Sequence, residues 1–121
     1  MVDFPWDSAD TETGTTAGED AIVVCAFQDG TLRVYENRIQ IERAAASTFT
    51  DKEISMERIE SVTYSKRLVI SYLQIEERGF ENDTGGVLST PVDENTLHFG
   101  RGKRSCAKRA EEAIQDAISR T

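Results

Sequence analysis

The stretch that decides the fold is Gly30-Thr31-Leu32-Arg33-Val34-Tyr35-Glu36-Asn37-Arg38-Ile39-Gln40-Ile41. Leu32 and Val34 share one face of its first half. Ile39 and Ile41 share one face of its second half. Alternation of apolar and polar residues is typical of a β-strand with one buried face, and the asparagine between the two halves tolerates the left-handed backbone of a tight turn. The stretch therefore predicts an antiparallel hairpin.

A third strand is expected just before this hairpin. Residues 21–27 form a short apolar run rich in β-branched side chains, which predicts a buried strand. Asp29-Gly30 follows it, and this dipeptide favours a tight turn because glycine accepts a positive φ. The first half of the chain is thus predicted to open as a three-stranded meander.

Four more strands are predicted further along the chain, over residues 49–56, 59–65, 68–76 and 96–99. Ile54 and Met56 should point inward from the first of these, and Leu97 and Phe99 from the last. A turn is expected over residues 56–58. Residues 79–95 are rich in turn-forming residues and predict a long loop, with a short strand at Val87-Leu88 as an option within it.

The hydrophobic period changes near the C-terminus. Ala107, Ala110, Ile114 and Ala117 recur at spacings of three and four, which places them on one face of a helix. Ser105 is the expected N-cap. The small residues on this face would let the helix pack closely against a sheet. The fold class predicted is α+β, mainly β, with about seven antiparallel strands and one C-terminal helix.

This order of elements resembles the pleckstrin-homology superfold, and most closely its prokaryotic PH-like domains. The resemblance runs from about Asp29 to Ile118 and rests on three parts: the hairpin quoted above, the segment from Glu53 to Val62, and the last strand leading into the helix. Ile59 and Val62 match the "I-x-x-V" start of a strand in that family. The resemblance implies a partly open barrel capped by the helix, and a binding module that tends to self-associate.

The matching first loop, Gln28-Asp29-Gly30, contains no cation, whereas lipid-binding members of the superfold carry several lysines and arginines there. This departure argues against phosphoinositide recognition at that loop. No residue pattern marks a nucleotide loop or an activated serine, so we expect no enzyme activity and no cofactor. A fold alone does not fix a function. The sequence favours a protein-interaction or self-assembling scaffold module.

The formal net charge of -8 weighs against general binding to nucleic acid or to anionic membranes, since both are polyanions. Only four of the 14 basic residues are lysines, a composition that fits a salt-adapted protein and equally an ordinary acidic one. No run is apolar enough to span a membrane, and no secretory signal is recognisable. A cytoplasmic location is therefore expected.

Residues 1–20 are acidic and rich in threonine and glycine, and predict a flexible tail ahead of a domain over residues 21–121. The exception is Phe4-Pro5-Trp6, a candidate docking motif for a partner, which could instead fold back onto the domain itself. Cys25 and Cys106 are too few to indicate a disulfide framework, and Cys25 is expected to be a core residue. His98 should point outward from its strand, without metal ligands near it.

The most informative charge feature is a basic cluster at the start of the predicted helix. It consists of Arg101, Lys103, Arg104, Lys108 and Arg109, with no acidic residue between them, so the remaining chain carries -13. Cations at a helix start oppose the helix dipole and do not serve helix stability. The cluster could bind an anion such as a lipid head group or nucleic acid, which is the alternative function. It could also pair with the acidic surface of its own domain, for example Lys108 with Glu111 and Glu112, or with a second subunit.

Overall fold

A computed structural model describes residues 21–84 and 90–120 of the chain. These residues form two antiparallel sheets of four and three strands, followed by a C-terminal helix. The mainly β architecture predicted from the sequence, a partly open barrel with one helix, is confirmed. The predicted tail, including Phe4-Pro5-Trp6, and the optional strand at Val87-Leu88 lie outside the described residues.

The first sheet is a meander of four strands in sequence order: β1 Val23–Phe27, β2 Gly30–Val34, β3 Arg38–Arg43 and β4 Lys52–Ser55. The register pairs Val34 with Ile39, so the predicted turn at Glu36-Asn37 is confirmed. The four predicted inward residues of this hairpin are all buried. β1 is not buried on both faces as predicted, because Val24 and Ala26 point to solvent while Cys25 and Phe27 point inward.

The second sheet contains β5 Ile59–Ser65, β6 Ser71–Glu77 and β7 Thr96–Phe99. A single 3-10 turn over Met56–Arg58 joins it to the first sheet and confirms the predicted turn. Leu97 and Phe99 are buried as predicted. β6 begins three residues later than predicted, and residues 66–70 form the loop between β5 and β6 instead. β4 is also shorter than predicted, beginning at Lys52.

Helix α1, Arg104–Ser119, closes the core. Its four predicted inward residues are all buried, and they pack mainly on β5 and β1. The two sheets also meet directly, since the ring of Phe99 in β7 lies 4.9 Å from that of Phe27 in β1. Within the second sheet, the same ring lies 5.8 Å from that of Tyr64 in β5. Burial of these apolar side chains is the main force holding sheets and helix together. The predicted N-cap at Ser105 is wrong, because the helix begins at Arg104 with Lys103 in the N-cap position, two residues before the predicted one.

The two cysteines form a disulfide between β1 and the first turn of α1, with 5.8 Å between the Cα atoms of Cys25 and Cys106. This single bond was not predicted, because two cysteines do not indicate a disulfide framework. Cys25 does lie in the core as predicted. Because 81 residues separate the two in sequence, their pairing follows from the tertiary fold, and spacing alone does not indicate it. The bond fixes the start of the helix against the first sheet.

Candidate functional site

The five basic residues singled out by the sequence lie where the second sheet leads into the helix. Arg101 and Lys103 lie in a 3-10 turn over Arg101–Lys103, directly before α1. Arg104, Lys108 and Arg109 lie in the first two turns of the helix. All are exposed except Arg104, which is half-buried. No side chain caps this helix end, so the cations oppose the helix dipole without a compensating acidic cap.

Lys108 is used within the domain. Its Nζ lies 3.0 Å from Glu111 Oε1, which confirms the predicted pairing along the helix, and 5.3 Å from the centre of the Tyr64 ring. The hydrogen bond to Glu111 raises the pKa of Lys108. Arg109 follows Arg104 by five residues, which places it about 140° further round the helix. The five residues therefore do not form one patch.

A second basic segment, missed by the sequence analysis, joins Arg101, Lys103 and Arg104. It is the β5–β6 loop over residues 66–70, which contributes Lys66 and Arg67. The guanidinium of Arg104 donates a hydrogen bond to the carbonyl oxygen of Arg67, with 2.5 Å between the two atoms. The pairing of Phe99 with Ser71 also brings the chain leaving β7 beside the chain entering β6. We call Lys66, Arg67, Arg101, Lys103 and Arg104 the cationic end surface.

No carboxylate lies within 4 Å of a nitrogen of the cationic end surface in residues 21–84 and 90–120. The predicted self-pairing thus holds for Lys108. It does not hold for Arg101, Lys103, Arg104 or Arg109, which form no ion pair with a described carboxylate. The rest of residues 21–84 and 90–120 contains nine basic and 16 acidic residues, a formal charge of -7. The described part of the molecule is therefore polarised, with one positive end on an otherwise acidic body.

The β5–β6 loop also exposes apolar side chains at its tip. Leu68 is 79% exposed and Val69 is 71% exposed. Both residues were predicted to lie in a strand, because an apolar run looks the same in sequence whether it lies in a sheet or in a loop. Alternation does not separate the two cases, since Lys66-Arg67 is followed by three apolar residues in succession, and such a run is also consistent with a buried strand.

A different cluster of polar residues is buried between β3, β7 and the loop before β7. The side chain of Arg43 is 2% exposed, and its guanidinium donates hydrogen bonds to the carbonyl oxygens of Asp93, Glu94 and Thr96. Burial lowers the pKa of Arg43. This effect is larger than that of the nearby carboxylates of Asp29, Asp93 and Glu94, which raise the pKa. Nη2 of Arg43 faces three backbone acceptors and Nη1 faces the carboxylate of Asp29, while the buried Nε has no hydrogen-bond partner among the described residues. Because these contacts are all made inside the fold, we interpret the cluster as structural.

His98 belongs to the same buried cluster. It lies on the face of β7 opposite to the buried Leu97 and Phe99, as predicted, but it is half-buried there. Its Nδ1 lies 2.7 Å from Asp29 Oδ2, and its Nε2 lies 2.8 Å from the carbonyl oxygen of Pro91. In the described part of the chain, no group of three His, Cys, Asp or Glu side chains is placed to hold a metal ion.

A surface cleft of about 350 Å³ lies over β3 and β4 and is lined by charges of both signs. Its two cations are both paired: Arg33 with Glu42 at 2.7 Å, and Lys52 with Glu77 at 2.8 Å. Among its described lining residues, the cleft therefore offers no free cation with which to hold an anion. The cationic end surface is the better candidate for a binding site.

Comparison with protein-family models, curated proteins and solved structures finds no match for this chain. The resemblance to PH-like domains therefore stays a prediction. Among the described residues, no helix has the length and apolar character needed to cross a membrane.

Proposed function

We propose that the chain is a non-catalytic interaction module of PH-like type, and that it binds an acidic partner through the cationic end surface. The observation that supports this most directly is the set of five cations without an ion-pair partner among the described residues. Unpaired cations gathered at one end of an acidic protein are unfavourable for folding. They do favour and orient an encounter with an anionic surface.

Strand addition at a sheet edge is a less well supported route to a partner. β4 pairs on one side only, with β3, in the described structure. It is four residues long and carries Lys52 and Glu53. Short, charged edge strands resist pairing with another chain. We therefore place the binding site on the cationic end surface and not on this edge.

Binding to immobilised heparin, a soluble polyanion, tests the proposal without assuming the identity of the partner. We expect the domain to be retained at low salt despite its net charge of -8. Arg101→Glu combined with Lys103→Glu should abolish retention, because both side chains are exposed and have no described partner whose loss would disturb the fold. Retention should also fall steeply with added salt.

The matched control is Arg78→Glu combined with Arg120→Glu, which changes the net charge by the same amount. Both arginines are exposed and make only surface ion pairs, with Glu60 and Asp116. The control should keep heparin binding. If the wild-type domain passes through the column at low salt, or if both double variants weaken binding equally, the cationic end surface is not the binding site.

Self-association is a second candidate, since the acidic body of one copy can face the cationic end surface of another. This version predicts dimers or larger assemblies in light scattering that dissociate as the salt concentration rises. The Arg101→Glu, Lys103→Glu variant should then be monomeric. A wild-type protein that stays monomeric at all protein and salt concentrations rules out self-assembly, while leaving binding to another acidic partner intact.

The cytoplasmic location predicted from the sequence remains a proposal, and the Cys25–Cys106 disulfide weighs against an ordinary reducing cytoplasm. Alkylation of free thiols in freshly lysed, acid-quenched cells distinguishes a reducing compartment from an oxidising one. Labelling of both cysteines without prior reduction supports a reducing compartment. Labelling only after reduction supports an oxidising one.

A further inference from the structure

We propose that the acidic partner of the cationic end surface is an anionic lipid bilayer, and that the β5–β6 loop inserts Leu68 and Val69 between the lipid head groups. This inference rests on the proposed function and adds the class of partner. It combines two observations: the cations without an ion-pair partner among the described residues, and the apolar tip of the loop that carries two of them.

The apolar tip is the first observation. The large apolar side chains exposed in the described residues are Ile22, Val24, Leu68, Val69 and Val92. Leu68 and Val69 have the highest exposed fractions of the five and are adjacent in sequence. They lie in a loop that projects beyond the ends of two strands. Exposing two adjacent aliphatic side chains to water raises the free energy of the protein. This free energy falls again when the side chains enter an apolar phase.

The second observation is the position of the cations relative to this tip. Lys66 and Arg67 immediately precede it in the chain. Because Phe99 pairs with Ser71 in an antiparallel register, the residues that follow Phe99 leave the sheet beside those that precede Ser71, which places Arg101 at the same end of the sheet as the loop. An apolar tip bordered by lysine and arginine is the arrangement by which proteins anchor in the interface of an anionic bilayer. Each cation near such a surface strengthens binding by about fivefold.

The chemistry of the tip favours lipid over nucleic acid. Single-stranded nucleic acids are held by exposed aromatic rings on which bases stack, whereas Leu68 and Val69 are aliphatic. The nearby rings are already covered, that of Tyr64 by Lys108 and that of Tyr72 by the guanidinium of Arg67 at 5.4 Å. The acidic remainder of the chain would be repelled by an anionic bilayer, so the molecule would approach with the cationic end surface first.

Co-sedimentation with vesicles tests this inference, using phosphatidylcholine alone and phosphatidylcholine mixed with phosphatidylglycerol. We expect binding to the mixed vesicles only, and loss of that binding at high salt. Leu68→Ser combined with Val69→Ser should weaken it by at least about tenfold, because two aliphatic side chains no longer enter the bilayer. Val92→Ser is the matched control, since it removes an exposed apolar side chain from a different loop. It should bind like the wild type.

Heparin binding by the same variants separates this inference from the proposed function. The Leu68→Ser, Val69→Ser variant should keep wild-type retention on heparin, because its cations are intact and its exposed tip makes no packing contribution. If the wild-type domain binds heparin but not mixed vesicles, or binds vesicles equally well without the apolar tip, lipid insertion is wrong and the interaction module stands. If it binds neither, both proposals fail. Capture of the domain by DNA in preference to vesicles also contradicts the lipid assignment.

Discussion

The imidazole of His98 is held against the carboxylate of Asp29, with 2.7 Å between His98 Nδ1 and Asp29 Oδ2. The other ring nitrogen faces the carbonyl oxygen of Pro91. Both neighbours are acceptors, and a neutral imidazole can donate only one hydrogen bond. The geometry therefore favours the protonated ring. This contact fixes the β1–β2 turn, which contains Asp29, against strand β7.

The first prediction concerns the pKa of His98. Its hydrogen bond to Asp29 raises the pKa above the ordinary value of 6.5, and this outweighs the lowering caused by burial. His98 is the only histidine in the chain, so its titration by NMR gives a single unambiguous curve. We expect a midpoint above 6.5 in the wild type and a lower midpoint in Asp29→Asn. Equal midpoints in the two proteins would show that Asp29 does not stabilise the charged ring.

The same shift predicts how stability changes with pH. Because the folded protein binds this proton more tightly than the unfolded chain does, the contribution of His98 is complete below the unfolded pKa. It is lost as the pH rises through the folded pKa. Urea unfolding of the wild type should therefore show a decline in stability above about pH 6.5 that His98→Gln lacks. A parallel decline in both proteins would assign the pH dependence to other groups.

The buried guanidinium of Arg43 gives a second prediction. Arg43→Met leaves the carbonyl oxygens of Asp93, Glu94 and Thr96 without that donor and removes the cation 3.7 Å from Asp29. Removing one partner from a buried ionic network destabilises a fold by about 3–5 kcal/mol. Arg33→Met is the control, because Arg33 forms a surface pair with Glu42 that contributes about 1 kcal/mol or less. Similar losses of unfolding free energy in the two variants would refute the structural role of the cluster.

Local patterns were sufficient to predict the meander and the helix. The burial of Leu32, Ile39 and Ile114 follows from the spacing of apolar residues along the sequence alone. The start of β6 was predicted three residues too early. The apolar side chains of Leu68 and Val69 fit a strand, and the sequence does not show whether another strand pairs with them. The cationic end surface was predicted only in part. Lys66 and Arg67 join Arg101 through the pairing of β6 with β7, which is a contact between segments distant in sequence. The disulfide was missed for the same reason.

A third prediction follows from that disulfide. Linking Cys25 and Cys106 restricts the unfolded chain across an 81-residue separation, and chain entropy gives a stabilisation of about 4–5 kcal/mol. A reducing agent should lower the melting temperature of the wild type to that of Cys106→Ser, which should itself be insensitive to the agent. Mass spectrometry of alkylated protein confirms the state of the bond. An unchanged melting temperature on full reduction would mean that the bond adds no stability.

The fourth prediction concerns Gly30, where the sequence suggested a positive φ. Among the described glycines only Gly79 has one, so a different constraint applies at Gly30. A Cβ at Gly30 would lie 2.6 Å from the carbonyl oxygen of Glu42 and 3.2 Å from the Cα of Arg43. Both atoms belong to the backbone of β3, which cannot move aside without disturbing the sheet. The close approach of two strands therefore explains this glycine.

Gly30→Ala should lower the unfolding free energy by about 1–3 kcal/mol, the usual cost of overpacking. Backbone entropy alone would predict the opposite sign, a gain of about 0.5–1 kcal/mol. Gly100→Ala is the control, because a Cβ there meets no atom within 4 Å. It should be neutral or stabilising by up to about 1 kcal/mol. Chemical denaturation of the two variants decides between overpacking and backbone entropy. A Gly30→Ala protein as stable as the wild type would contradict overpacking, because β2 and β3 would then have to move apart without a loss of free energy.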